Sequence, residues 1–200
     1  MGKVDQNKQQ KLEKLLESAQ ALFLSKGIAD TSISEITSRA GVAKGTFYLY
    51  FKDKYSIRDH LISRSAKSLF ISAHTALQHE TQITDFEDKI IFITDHIVKE
   101  LEKNRPLLRF VSKNLSWGLF RQLIDSNITD EGMTGQEIFD KVASECSVSL
   151  KDPEIMIFMI IELVNAATYS AIIGNGPVSL ARLLPYLNDA IRAIIRNHME

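Results

Sequence analysis

Cysteine is almost missing: Cys146 is the single one in 200 residues. That leaves no disulfide framework and no thiolate metal site, and it suits a reducing compartment. The bland role of a small core residue is the one expected of it. Nine glycines and four prolines are too few for a long, turn-rich β architecture. The five histidines, His60, His74, His79, His96 and His198, show no metal-binding spacing, and His74 and His79 diverge on a helix. No glycine-rich phosphate loop or nucleophile elbow occurs. The expectation is therefore no catalytic residues, no metal, no cofactor and no enzyme. The opening MGKVDQNKQQKLEK has no apolar core of a secretory signal, so a cytoplasmic location is expected.

What is present is apolar and charged in globular proportion, 44% and 24% of the chain. The net charge of −1 averages two unlike regions. Residues 1–67 carry 12 basic and 7 acidic side chains, a net of +5, whereas residues 68–200 carry 12 and 18, a net of −6. A basic first third points to a polyanion as its partner.

Nearly every segment has helical periodicity. Leu12, Leu15, Leu16, Ala19, Leu22 and Phe23 form an amphipathic stripe that stops at Lys26-Gly27. Ser32 and Glu35 fit a capping box opening a short helix, which Gly41 ends. A further short helix is expected from about Lys44 to Phe51, then a long one carrying Leu61 to Leu77. Helices follow near 84–103, 105–125 and 134–146, with Pro106 at a start and Gly132/Gly135 at a break. Residues 153–177 are apolar almost all round. Glu162, Asn165, Thr168 and Ser170 interrupt the run, which favours a helix buried in protein over a membrane span. The last helix holds Leu183 to Ile195, and Pro185 must restart or kink it.

The stretch GVAKGTFYLYFKDK, Gly41–Lys54, places four aromatic rings among lysines. Stepping about 100° per residue puts Phe47 and Phe51 on one inward face and Gly45 and Leu49 roughly opposite. Thr46, Tyr48 and Tyr50 flank the outward side. Tyrosine hydroxyls can bond phosphate oxygens, and Lys44, Lys52 and Lys54 can neutralise them. Gly45 permits close approach, and Leu49 is suited to a thymine methyl in a major groove. Two short helices with a glycine turn between them, after a longer helix, make a helix-turn-helix.

Residues 31–57, TSISEITSRAGVAKGTFYLYFKDKYSI, resemble the DNA-binding segment of the tetracycline-repressor (TetR) family of bacterial transcription regulators. The likeness rests on Thr31, Ile36, Ala40-Gly41-Val42, Lys44-Gly45, Tyr48, Tyr50-Phe51 and Lys54. Ala43 stands where a serine often contacts phosphate, and Tyr50 where histidine is frequent. The resemblance implies an all-α fold. An N-terminal three-helix helix-turn-helix head (1–53) would be joined by a long helix to a helical effector-binding and dimerisation domain (54–200). The expected DNA-binding set is Thr31, Ser32, Lys44, Gly45, Thr46, Tyr48, Leu49, Tyr50, Lys52 and Lys54. It further implies a homodimer, paired through helices at about 154–174 and 178–198. Such a dimer would act as a repressor on a palindromic double-stranded operator, its two recognition helices about 34–36 Å apart.

A small-molecule effector, apolar or amphipathic, is expected in the middle helices. Phe92, His96, Phe110, Asn114, Trp117, Phe120, Glu162 and Tyr169 are the candidate ligand-binding residues, since cavities need apolar walls with a few polar groups. Glu162, a carboxylate on an apolar helix, has three possible roles: ligand contact, a partner across the dimer, or a solvent-facing position. A helical carrier of lipids or small molecules, without DNA binding, is the rival; it leaves the basic head unused.

Overall fold

The computed structural model describes residues 3–114, 118, 121, 134–174 and 176–200. Among them lie nine α-helices. We label them α1 (Lys3–Lys26), α2 (Ile33–Ala40), α3 (Lys44–Tyr48), α4 (Lys54–Gln78), α5 (Phe86–Lys103), α6 (Arg105–Asn114), α7 (Gly135–Glu145), α8 (Pro153–Ile172) and α9 (Leu180–His198). No strand is present among the described residues; an isolated bridge joins Leu150 and Met199. The all-α expectation holds. Of the helix expected over 105–125, Arg105–Asn114 is seen and most of the rest lies outside the described residues.

Helix boundaries follow local chemistry. Ser32 caps α2 by accepting from the Glu35 N–H at 3.2 Å, while the Glu35 carboxylate accepts from the Ser32 N–H at 2.9 Å. This is the reciprocal capping box. Gly41 ends α2 in the left-handed region at φ 66°, which costs a residue with a Cβ extra energy. Asp85 caps α5, and Thr134 with Glu137 forms a second capping box on α7. Pro153 occupies the first turn of α8, where a missing N–H costs nothing. Pro185 neither stops nor restarts α9, which continues through it.

The chain divides into two compact units, Met1–Arg64 and Ser65–Glu200. The division falls inside α4: its early residues Ile57, Leu61 and Ile62 belong to the first unit and are buried. The first unit buries Leu15, Leu16, Ala19 and Phe23 of α1, Ile36 of α2 and Phe47 of α3. At roughly 25 cal/mol per Å² of apolar surface, such side chains supply most of the drive to fold. The second unit has a core of Phe86, Ile91, Met156, Leu187, Ile191 and Ile195, and a further cluster around Val98, Leu108, Ile172 and Leu180. Arg192 and Arg196 of α9 tie it down from outside by ion pairs to Glu87, 3.3 and 2.8 Å long.

Candidate nucleic-acid interface and ligand cavities

α3 has two unlike sides. Phe47 is fully buried and Phe51 nearly so, their rings 5.8 Å apart, while Leu49 is 80% exposed and Tyr48 53%. The helical phase read from the sequence is thus realised, with a tighter end. After Tyr48 the chain closes through Leu49 N–H to the Thr46 carbonyl at 3.3 Å and Phe51 N–H to Phe47 at 2.9 Å. Gly45 faces open space, with no atom within 4 Å of where a Cβ would stand. Lys44 and Lys52 are exposed on either side, and Thr46 is half-buried. Lys44, Gly45, Tyr48, Leu49 and Lys52 therefore form one accessible surface, apolar at its centre and cationic at its ends.

Four members of the expected set are occupied otherwise. Lys54 is the clearest case. Its ammonium donates to the carbonyls of Ile28, Ala29 and Thr31 at 2.9, 2.9 and 3.1 Å, so all three donors are spent inside the head. It clasps the loop between α1 and α2 instead of offering a free charge. Thr31 is buried, and its hydroxyl donates to the Gly27 carbonyl at 2.7 Å. Ser32 is exposed but bound into the α2 cap. Tyr50 is half-buried, its hydroxyl donating to the Lys8 carbonyl at 2.9 Å. Sequence alone shows residue type and phase, not that a carbonyl waits 26 or 42 positions away. Nearby, Lys26 at 2.6 Å, and then the Ser32 N–H and hydroxyl, hold the Glu35 carboxyl down at about 2. The reading of the sequence also left out the exposed Lys8, Lys11, Lys14 and Arg39 of the same unit.

Apolar cavities of 170 and 160 Å³ lie among the described residues of the second unit. One is walled by Phe70 of α4, Ile90, Ile93 and Ile97 of α5, Ile138 and Phe139 of α7, and Met156, Ile157 and Ile160 of α8. The other is walled by Ala66, Leu69, Leu101, Val111, Val164 and Thr168, with Ser112 and Asn165. Phe70, Thr94, Ile97, Ile160 and Ile161 line both, so the two lie end to end. Among the described residues no charged side chain lines either. Both threonine hydroxyls are already used: Thr94 donates to Ile90 at 2.9 Å and Thr168 to Val164 at 2.6 Å. Asn165 donates its amide to the Ser112 carbonyl at 3.3 Å.

None of the described candidate ligand residues lines these cavities. Phe92 and His96 sit on another face of α5, their rings 6.3 Å apart, with His96 Nε2 2.9 Å from the Ser72 hydroxyl. The phase explains this: 90, 93, 94 and 97 share a face, and 92 lies about 160° from 94. Phe110 is buried, and its carbonyl accepts from Asn114 at 2.7 Å. Tyr169 packs beside Ile172 and Leu180. Glu162 is exposed. Trp117 and Phe120 lie outside the described residues. The aliphatic residues that do form the walls were hidden among many equivalent ones.

α8 is long and apolar enough to cross a membrane by length and composition alone, yet only 22% of its most apolar window is buried. Ile155, Phe158 and Met159 are exposed with Glu162, Ala166 and Ser170 at helical spacing. On α9, Tyr186 is 70% exposed. Burial in the single chain thus covers one side of α8 only. Among the described residues no three His, Cys, Asp or Glu side chains gather where a metal ion would be held.

Residues 15–61, which contain α2, α3 and the start of α4, match the profile of the bacterial regulatory proteins of the tetR family. The probable HTH-type transcriptional regulator YttP of Bacillus subtilis is 28% identical over 132 residues, 64% of this chain. The match spans 63% of that relative, less than two thirds of its length. A putative tetR family regulator from Shewanella sp. PV-4 has the same fold, with a TM-score of 0.66 at 16% identity over 95% of this chain and 98% of that one. RolR in complex with resorcinol is similar with a TM-score of 0.70 at 17% identity, over 96% and 90% of the two chains. The first unit thus carries the DNA-binding segment of the bacterial tetR-family regulatory proteins, and the whole chain has the all-helical fold of solved TetR-family regulators.

Proposed function

We propose that the chain is a ligand-responsive transcriptional regulator, a homodimeric repressor on a palindromic operator. The observation that carries this reading is the two-sided α3: Phe47 is buried while Tyr48, Leu49, Lys44 and Lys52 stand in solvent around an open Gly45. A lone helix face has no reason to expose a leucine and a tyrosine between lysines. A major groove supplies one, with thymine methyls at its floor and phosphates at its edges. The open faces of α8 and α9 are the surface for the second copy, because such a patch is costly in water.

The effector is uncharged and mainly apolar. A charge placed in cavities whose described walls hold no charged residue has little to offset its lost hydration. RolR was solved with resorcinol, a neutral molecule, which agrees with that class. Ala66, Leu69 and Phe70 of α4 belong to the cavity walls, while earlier residues of α4 belong to the head. A ligand that prefers one setting of α4 shifts the heads away from the spacing that DNA requires, by its differential affinity for the two states.

The experiment is binding of the purified protein to the DNA flanking its own gene across a salt series. Sequence-selective binding that weakens with salt, and is reversed by neutral apolar compounds, supports the reading. The cavities alone fit a carrier of small apolar molecules too. Binding of such compounds with no affinity for any genomic fragment would establish that alternative.

A further inference from the structure

We propose that the N-terminal overhang of α1 is a second DNA-contacting element, with Lys8 and Lys11 as its phosphate ligands. This rests on the DNA-binding reading above and extends the interface beyond α3. Residues 5–11 of α1 are exposed all round, ahead of the buried stripe of Leu15, Leu16, Ala19 and Phe23. Lys8 precedes Leu15 by seven residues and Ala19 by eleven, so it continues that stripe. It puts a cation where packing would call for a hydrocarbon. At that turn the helix has run past the core, and the Tyr50 hydroxyl grips it by the Lys8 carbonyl at 2.9 Å. The overhang is thereby held against Tyr50 at the end of the recognition segment, two residues before the exposed Lys52.

The charges are sorted around α1. Lys11 lies about 60° from Lys8 and Lys14 about 120° away, turned from the stripe. Asp5 sits on the other flank of Lys8, in the first turn where a carboxylate suits the helix dipole. Glu13 is paired with Arg64 at 2.5 Å, which draws that carboxylate away from the lysines. Two exposed ammonium groups on a tethered helix turn complement the regular negative charge of a duplex backbone.

The lysines are exposed, so replacing them leaves the fold alone, and salt dependence reads their contacts directly. The test compares wild type, Lys8→Gln, Lys11→Gln, the double variant and Lys14→Gln on one operator fragment, with thermal melts alongside. Each phosphate contact contributes about 0.9 to the slope of log affinity against log salt, and each lysine acts twice in a dimer. The slope should fall by about 1.8 for each of the first two variants and about 3.6 for the double, while Lys14→Gln keeps the wild-type slope. Unchanged slopes in a wild-type protein that does bind DNA would overturn this inference and spare the functional reading. An equal fall with Lys14→Gln would also overturn it, leaving only a diffuse positive field. A wild type with no salt-sensitive DNA binding removes both.

Discussion

Lys54→Met is the substitution that separates a phosphate contact from an internal clasp. The Lys54 ammonium holds three carbonyls across the α1–α2 loop, at 2.9, 2.9 and 3.1 Å. The bond to Ala29 is solvent-exposed, so water replaces it at little cost. Those to Ile28 and Thr31 are part-buried, and each contributes about 1–1.5 kcal/mol. Methionine keeps the apolar stem, so the variant should lose about 2–3 kcal/mol from the head alone. For a unit of this size, a loss of 1 kcal/mol lowers the melting midpoint by about 4–8 °C, which gives a fall of roughly 10–20 °C. Three of the five tyrosines, Tyr48, Tyr50 and Tyr55, lie in the first unit, so near-ultraviolet dichroism of a variant with Tyr169 and Tyr186 replaced by phenylalanine follows the head. Operator binding measured in the cold, far below that midpoint, should keep the wild-type salt slope. A variant that melts like wild type but loses about 1.8 from the slope, one contact in each of two heads, would show that Lys54 serves DNA and would refute the clasp.

Three further outcomes follow from the same geometry. Phe47→Ala should cost the head about 3–5 kcal/mol, whereas Tyr48→Ala should change stability by less than about 0.5 kcal/mol yet weaken operator binding; urea titration beside a binding assay checks both. Hydrogen bonds from Arg196 and then Arg192 lower the pKa of buried Glu87 below its ordinary 4.5. The stability it adds is therefore present above that pH and lost as pH falls through the lowered value, and Glu87→Gln should flatten this acid limb of the unfolding curve. Phe158→Glu on the open face of α8 should give a folded monomer by sedimentation; a dimer of wild-type affinity would move the partner surface elsewhere.

How much of this was legible beforehand differs between the two units. In the head, the information is local. Ser32-x-x-Glu35, Gly41 and the spacing of Phe47 and Phe51 specify caps, a turn and a buried face within one or two turns of helix, and the structure shows each of them. The outward position of Tyr48 and Leu49 follows from the same phase. What local pattern cannot supply is the partner of a long polar side chain. Lys54 and Tyr50 were read as DNA ligands from their type, yet they reach carbonyls of α1 and the loop after it.

In the second unit the balance reverses. Sequence by itself determined that these segments are helices, where most of them begin and end, and that α8 is too apolar to face water on every side. Which aliphatic residues wall a cavity was decided by tertiary packing alone. Ile93 and Ile161 look no different in sequence from Ile191 and Ile195, but the first pair lines open space and the second fills the core. The reason is physical: burial depends on interhelical distance and on which neighbour supplies too little volume, and neither is encoded in the period of a single helix.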